Sequence, residues 1–386
     1  MKILHLHSYY HNGWGFQENL LPRYHKIMGH DVSVITSTHT RYPLQDARTR
    51  VPPGEYSDRG VRIIRLPAWL NFCKRFVWMR GLYATLIAEG PDYIMSHEGI
   101  TSIQSITAAR YKKKVKPCLF LSIDNHADWA NSGRNWLWLQ LYYRLFWRLM
   151  IRRISPLVDR FYGITQDAVR FSSKVVGIPE DKLSLLPLGA ELPCYIKKER
   201  KEIKMTIRKE LGVAHTDILI VHAGKIIPRR RTEVLLKAIG CLCNPQLVVA
   251  IAGPVEPAYH LKLRRMISRN SRVHFLGWQP YNKLIQLFIA SDIAVFPGAR
   301  STLWQSAIAT GLPVILRDSD ESGFLTSKAN GHILYSEDHR ELEQYIRLLV
   351  AYPAVLKDQR NGANQMAKEI LSYNIIARRT LEHLES

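Results

Sequence analysis

Ile218-Leu219-Ile220-Val221-His222-Ala223-Gly224-Lys225-Ile226-Ile227-Pro228-Arg229-Arg230-Arg231-Thr232 is an apolar run that stops at a glycine, passes four cations and opens an apolar-periodic helix. A strand written almost entirely in branched apolar residues is one buried on both faces, the environment of a parallel sheet covered by crossover helices. The unit recurs along the chain. In the first half the runs are Ile3 to Leu6, Val32 to Thr36, Val61 to Leu66, Tyr93 to Met95, Leu119 to Ile123, Phe161 to Ile164 and Leu183 to Leu186. In the second half they are Ile218 to Ala223, Leu247 to Ala252, Val273 to Leu276, Ile293 to Phe296 and Val314 to Leu316. Two sets of parallel strands in an α/β protein follow.

Between the sets lies Pro187-Leu188-Gly189-Ala190-Glu191-Leu192-Pro193, followed by the charged stretch Lys197 to Lys209, which suits a linker and the first helix of a second domain. This divides the chain into residues 1–190, 191–365 and a C-terminal helix, 366–386, that packs back on the first domain. Two Rossmann-like domains facing across a cleft are expected, with ligands at the carboxyl ends of the strands.

The chain has 386 residues, 46% apolar and 23% charged, so a folded protein of two or three domains is expected and long disorder is not. The 54 Lys and Arg against 33 Asp and Glu leave a net charge of +21, which favours phosphate-bearing partners: nucleic acid, nucleotides or an anionic membrane surface. Cys73, Cys118, Cys194, Cys241 and Cys243 are odd in number and lack zinc spacing, which implies a reducing compartment and no structural metal. Met1 to His7 reads as a strand rather than a signal peptide, so a cytoplasmic protein is expected.

Trp136 to Arg153 carries too many arginines to span a bilayer. Its mixture of Trp136, Trp138 and Trp147 with Arg134, Arg144, Arg148, Arg152 and Arg153 predicts a helix over 134–153 lying in the headgroup plane, reinforced by Arg110, Lys112, Lys113, Lys114 and Lys116. The competing reading is an amphipathic core helix with snorkelling arginines.

Three segments can carry chemistry. After the first strand, Gly13 and Gly15 in Tyr9 to Glu18 would let backbone N–H groups approach a phosphate or sugar, but Glu18 stands where a dinucleotide fingerprint needs glycine, so nicotinamide chemistry is disfavoured. Lys225, Arg229, Arg230 and Arg231, at a strand's carboxyl end and a helix start, would neutralise a diphosphate without a metal. Phe296 to Val314 is a strand, a Pro297-Gly298 turn, a helix of small residues and a Gly-x-Pro stop, with Ser301 placed to cap the helix.

In this order the segments resemble the retaining GT-B glycosyltransferases, specifically glycosyltransferase family 4. Gly29-His30-Asp31-Val32, Pro187 to Glu191, Gly224-Lys225 through Arg230, Phe275-Leu276-Gly277-Trp278, Ser291 to Pro297 and Ala307 to Val314 carry the likeness over nearly the whole chain. The resemblance implies that Lys225 and Arg230 bind the donor diphosphate after Gly224, that Gly277 and Trp278 lie at the nucleobase, that Gly13 or Gly15 approaches the phosphates and sugar, and that His126 contacts the donor sugar. His126, Lys225 and Arg230 would be the catalytic residues. The sequence departs from the family at its paired glutamates: Gly298 and Ser306 stand at those positions, and Ser301, Ser306, Asp318 or Glu321 are the available substitutes.

Asp318-Ser319-Asp320, and Asp124 with His126 and Asp128, could suggest a metal, but the cationic loop would supply that charge, so no metal or other cofactor is expected. The resulting expectation is an enzyme moving a sugar from a UDP- or GDP-type donor, with retention, to a saccharide or lipid-linked acceptor in bacterial surface polysaccharide synthesis. It would work at the inner face of the cytoplasmic membrane. The competing readings are a nucleotide-sugar epimerase on the same fold, an inactive relative, and a basic nucleic-acid-binding protein, for which none of the standard signatures is present.

Overall fold

The computed structural model describes residues 1–384 apart from 14, 41–49, 73–75, 98, 101, 130–135, 194 and 269. Cys73, Cys194 and Arg134 therefore lie outside the described residues. The chain forms two compact units, Met1–Leu188 with Ile376–Ser386, and Gly189–Ile375.

The first unit is built on strands β1 (Lys2–His7), β2 (Asp31–Ser37), β3 (Gly54–Asp58), β4 (Val61–Leu66), β5 (Ala68–Phe72), β6 (Phe76–Met79), β7 (Tyr93–Ser96), β8 (Phe120–Asn125), β9 (Arg160–Gly163) and β10 (Leu183–Leu185). Eight form one sheet in the order β10-β9-β8-β7-β1-β2-β4-β3, with β5 and β6 a separate hairpin. All pairs in the large sheet are parallel except β3–β4, which corrects the expectation of parallel strands alone. An edge strand needs no apolar pair of faces, and Gly54-Glu55-Tyr56-Ser57-Asp58 has none. The core gathers Leu4, Leu6, Ile94, Leu121, Ile123 and Phe161 from the strands with Trp147 and Ile151 from the helix that follows residue 136.

The second unit carries β11 (Ile218–Ala223), β12 (Leu247–Ala252), β13 (Val273–Gly277), β14 (Ile293–Phe296), β15 (Val314–Arg317) and β16 (Gly331–Leu334), in the order β13-β12-β11-β14-β15-β16. Every pair is parallel. Successive side chains of a strand point to opposite faces, and β11 divides accordingly: Leu219, Val221 and Ala223 enter one core, Ile220 the other. The helix Lys197–Glu210 opens this unit, its first turn held by the Glu199 carboxylate accepting from Ile196 N–H at 2.8 Å. The segment expected to return from residue 366 is divided. Met366, Ala367 and Leu371 are buried, the first and last in the second unit's core, and the chain rejoins the first unit only from Ile376.

Candidate functional site

In the second unit, parallel strands place the loops after β11, β13, β14 and β15 on one edge of the sheet. His222, fully buried in β11, fixes the first of these loops. Its Nδ1–H donates to Val295 O at 2.7 Å, so its Nε2 accepts from the Thr232 hydroxyl at 3.0 Å, tying β11, β14 and the start of the helix Thr232–Leu242 together. Burial pulls its pKa down to about 4, which keeps the ring neutral. Sequence reasoning missed this residue, whose one visible signal is a polar side chain inside an apolar run.

Gly224 is in the left-handed region with φ +118°, and a Cβ on it would stand 3.6 Å from Ser301 Oγ, so the two loops meet there. Lys225 is exposed and makes no ion pair with a described residue. Arg229 is exposed as well, while Arg230 is half-buried, its Nη1 donating to the carbonyls of Ala299 and Arg300. Burial first, and Arg229 second, lower the Arg230 pKa to about 10. Arg231 corrects the four-cation expectation: its guanidinium pairs with Glu337 and with Glu233 at 3.7 Å, which leaves Lys225, Arg229 and Arg230 as the cations of the loop.

Gly298 lies against this loop so closely that a Cβ would be 2.5 Å from Arg229 O. Ser301 Oγ accepts from Leu303 N–H at 3.4 Å, but the N-cap of the helix Leu303–Ala309 is Thr302, without a side-chain bond, which corrects the capping expected of Ser301. Ser306 is nearly buried, its hydroxyl 3.4 Å from the Tyr281 OH, and Glu321 is nearly buried as well, accepting from Gln305 Nε2 at 2.6 Å. Asp318 and Asp320 are exposed. Gly277 has φ +63° and its carbonyl accepts from Gly253 N–H at 2.7 Å, with Trp278 exposed beyond the end of β13.

In the first unit, the loop after β1 is pinned by Asp58 at the end of β3. One carboxylate oxygen accepts from the Tyr10 hydroxyl at 2.7 Å, Gly13 N–H at 3.0 Å and Asn19 Nδ2 at 3.3 Å. Burial, then the bond to Asp58, raises the Tyr10 phenol far above its usual range. Buried Arg65 donates to Tyr10 O and Asn12 Oδ1, both at 3.0 Å. Gly13 has φ +80°, so the turn needs glycine there; Gly15 has no atom within 4 Å of a Cβ position. Asp58 and Arg65 were not legible as site residues, because their partners lie some way off in the chain.

His126 follows β8 and is exposed, its Nε2 3.7 Å from Asp124 Oδ1. Asn125 shapes this turn by donating to Ala127 O and to Ser172 Oγ, at 3.0 and 2.8 Å, and accepting from Ala127 N–H.

The helix over 134–153 begins, among described residues, at Trp136 and winds as a π-helix from Leu139 to Trp147 before the α-helix Arg148–Ile154. Trp147 is 1% exposed and packs in the core, which corrects its assignment to a membrane. Arg148 is half-buried against Gly177. The outward face is instead Trp136, Leu137, Leu141, Leu145, Phe146 and Leu149, flanked by exposed Arg144, Arg152 and Arg153, with Trp138 partly out and stacked on Tyr142. No described helix is long and apolar enough to cross a membrane.

Two other features lie away from these loops. Cys241, His339 and Glu343 bring one ligand atom each within 4.8 Å of one another, a geometry able to hold a metal ion, although Glu343 is engaged by Arg347 at 2.7 Å. A cavity of about 410 Å³ lined by Leu236, Cys243, Asn244, Leu247, Arg272 and Val273 opens at the amino ends of β12 and β13, the edge opposite the cationic loop.

Comparison with known proteins bears on the family and the fold. Residues 26–189 match the glycosyl transferase 4-like domain and residues 203–369 match the glycosyl transferases group 1. The chain belongs to the group 1 glycosyl transferases, and its fold is the GT-B fold. Among curated relatives, a D-inositol 3-phosphate glycosyltransferase of Nocardia farcinica is 26% identical over 193 residues, 47% of this chain and 42% of the relative. A GDP-mannose-dependent monoacylated alpha-(1-6)-phosphatidylinositol monomannoside mannosyltransferase of Corynebacterium glutamicum is 25% identical over 221 residues, 53% and 56% of the two chains. This chain thus spans about half the length of the curated relatives it matches. Among solved structures, Anabaena HepE in complex with UDP superposes over 100% of both chains with a TM-score of 0.72 at 14% identity.

Proposed function

We propose that this protein transfers a sugar, with retention, from a UDP- or GDP-type nucleoside diphosphate sugar to a saccharide or lipid-linked acceptor, in the synthesis of a bacterial surface polysaccharide. The observation that carries the reading is the loop after β11, where Lys225, Arg229 and Arg230 stand without a carboxylate partner among the described residues at the carboxyl end of a parallel strand. Cleaving the bond between sugar and diphosphate builds negative charge on the leaving phosphate, and cations already aimed there favour the transition state. The names of the relatives support the donor class: one is GDP-mannose-dependent, and HepE was solved with UDP.

Within this reading Lys225 and Arg230 hold the diphosphate, Gly224 lets it approach, Ser301 lies beside that approach, and Gly277 and Trp278 take the nucleobase. Ser306 and Glu321 are assigned to the ribose in place of the missing acids. Gly13 and Gly15 serve the phosphates or sugar, and His126 a sugar hydroxyl. No metal is assigned to the reaction. The outward apolar face from Trp136 to Leu149, with its arginines, is assigned to an anionic membrane surface holding the acceptor.

Thermal unfolding with UDP, GDP, ADP and CMP tests the donor class, since a ligand at ~100 times its Kd stabilises the fold by ~2.7 kcal/mol. A shift from UDP or GDP that Lys225→Ala abolishes is expected. A shift from none of the four, or one indifferent to Lys225→Ala, would defeat the reading.

A further inference from the structure

Five buried side chains form a line through the first unit that the proposed transfer leaves unexplained. Asp124 Oδ2 lies 2.8 Å from His97 Nδ1, His97 Nε2 2.8 Å from His5 Nδ1, His5 Nε2 3.0 Å from His25 Nδ1, and His25 Nε2 2.8 Å from Thr380 Oγ1. The His5 ring stacks on both neighbours with 5.1 Å between centroids. The line begins at His126, whose Nε2 is 3.7 Å from Asp124 Oδ1, a fully buried oxygen with no hydrogen bond among the described residues.

Counting hydrogens leaves two patterns for the rings. Each of the four contacts needs one hydrogen between its two atoms. The Thr380 hydroxyl donates to Ala377 O at 2.7 Å, and the same carbonyl stands 3.3 Å from His25 Nε2. Turned instead to His25 Nε2, the hydroxyl would let each ring carry a single hydrogen, on Nδ1, with all three neutral; kept on Ala377 O, it leaves His25 its hydrogen on Nε2. Its Nδ1 then accepts from His5 Nε2–H, and His5 Nδ1 accepts from His97 Nε2–H. His97 Nδ1 meets a carboxylate, which only accepts, so His97 bears hydrogens on both nitrogens. In this second pattern four hydrogens on three rings make one imidazolium, neutralised by Asp124. Burial lowers the pKa of His5 and takes that of His25 to about 3, in keeping with two neutral rings. Burial alone would raise Asp124, but His97 and His126 outweigh it and hold the carboxyl below its usual range.

We infer that Asp124 and His97 are positioning residues for His126. With His97 charged as in the second pattern, it donates to one carboxylate oxygen, and the negative charge of the other, 3.7 Å from His126 Nε2, favours a hydrogen on that nitrogen and leaves Nδ1 to accept from a hydroxyl of the substrate. His5, His25 and Thr380 anchor the far end of the line, so the helix Tyr373–Leu381 is part of the device. The titratable groups along the line are Asp124 and His5 against His97, His126 beside Asp124, His25 of the helix Gln17–Ile27 against His5, and Tyr93 of β7 beside His25. The role of His126 rests on the sugar-transfer reading; the protonation pattern does not.

Long-range proton–nitrogen spectra of the full chain with labelled histidine, assigned through His5→Gln, His25→Gln and His97→Gln, test the pattern at pH 7.5. One buried imidazolium at His97 and Nε2–H tautomers at His5 and His25 are expected. Three neutral rings would overturn the assignment, and no variant is needed to see it. Asp124→Asn is expected to neutralise His97, release the His126 tautomer and lower kcat by ~10–100-fold. If it does not fold, His97→Gln supplies the same kinetic arm. Parent kcat in a folded variant, with the His126 tautomer unchanged, would overturn the positioning role. A parent chain with no transfer activity would count against the sugar-transfer reading while the spectra still decide His97.

Discussion

A Cβ at Gly298 would stand 2.4 Å from the carbonyl carbon of Arg230, closer than any side chain tolerates. The turn after β14 and the turn after β11 are therefore one object. Ala299 N–H donates to Arg229 O at 2.9 Å, and the Arg230 guanidinium returns to the carbonyls of Ala299 and Arg300. The resemblance read from the sequence would set a glutamate at the position of Gly298. In this chain the space for it is taken by the backbone of the cationic loop, so the departure alters the packing of the loop as well as the charge near it.

Gly298→Ala should consequently destabilise the second unit by about 1–3 kcal/mol, as overpacked sites do, and weaken nucleotide binding at the same time. Gly298→Glu, which restores the family's acid, should lose more of both rather than recover activity. Thermal unfolding with and without UDP or GDP measures each effect, and a Gly298→Glu chain that binds nucleotide as the parent does would show that the two turns move apart freely.

The three remaining cations of the loop differ from Arg231 in a way that mutation can read. A hydrogen bond to a charged group contributes about 1.5–3 kcal/mol, roughly 10–100-fold in affinity. Lys225→Ala and Arg230→Ala should each weaken nucleoside diphosphate binding by about that factor, while the corresponding nucleoside monophosphate, with fewer charges to hold, should lose less. Arg231→Ala removes a partner of Glu337 and Glu233 instead. It should change diphosphate affinity little, as isothermal titration would show.

These contrasts mark where the sequence was readable. Val61–Leu66, Ile218–Ala223, Leu247–Ala252 and Ile293–Phe296 were located residue for residue, because a strand covered on both faces must be an apolar run bounded by polar residues. β3, at a sheet edge, carries no such signal, and β16 is four residues long with a glycine and a histidine in it. The cations after β11 were legible from position alone. Their division between ligand and protein was not, since Glu337 is remote in sequence from Arg231. The same holds for Asp58 with Gly13 and for His5 with His97, pairs 45 and 92 positions apart that only the assembled sheet brings together.

Acid should act on stability before it acts on any carboxylate. His5, His25 and His222 have folded pKa values depressed by burial, to about 3 for His25 and about 4 for His222. Each is neutral in the folded chain where the unfolded chain, with a pKa of about 6.5, has begun to bind a proton. The unfolded state then holds more protons, so stability falls as pH drops below about 6.5, at up to ~1.4 kcal/mol per pH unit for each group, until the folded pKa is reached. Above that range these three rings contribute no pH dependence. Urea unfolding between pH 8 and 4.5 should show this slope, and His222→Gln should flatten it by one proton; a slope unchanged in that variant would place the acid sensitivity elsewhere.

The helix after residue 136 separates packing from surface binding within a few residues. Trp147 is fully buried among Tyr142, Phe146 and the first unit's core, with ring centroids 6.0 Å from Tyr142 and 5.1 Å from Phe146. Leu141, Leu145 and Leu149 point outward beside Arg144, Arg152 and Arg153. Trp147→Ala should cost about 3–5 kcal/mol of stability, the usual range for removing a core aromatic. Leu141→Ser, Leu145→Ser and Leu149→Ser together should leave the unfolding temperature nearly unchanged, because those side chains already face water. Each leucine that enters a bilayer contributes about 1.5–3 kcal/mol, so the triple variant should lose at least tenfold of its binding to vesicles containing phosphatidylglycerol. Raised salt should weaken the parent's binding through its arginines. Flotation that is equal for the triple variant and the parent would show that this face does not meet the lipid.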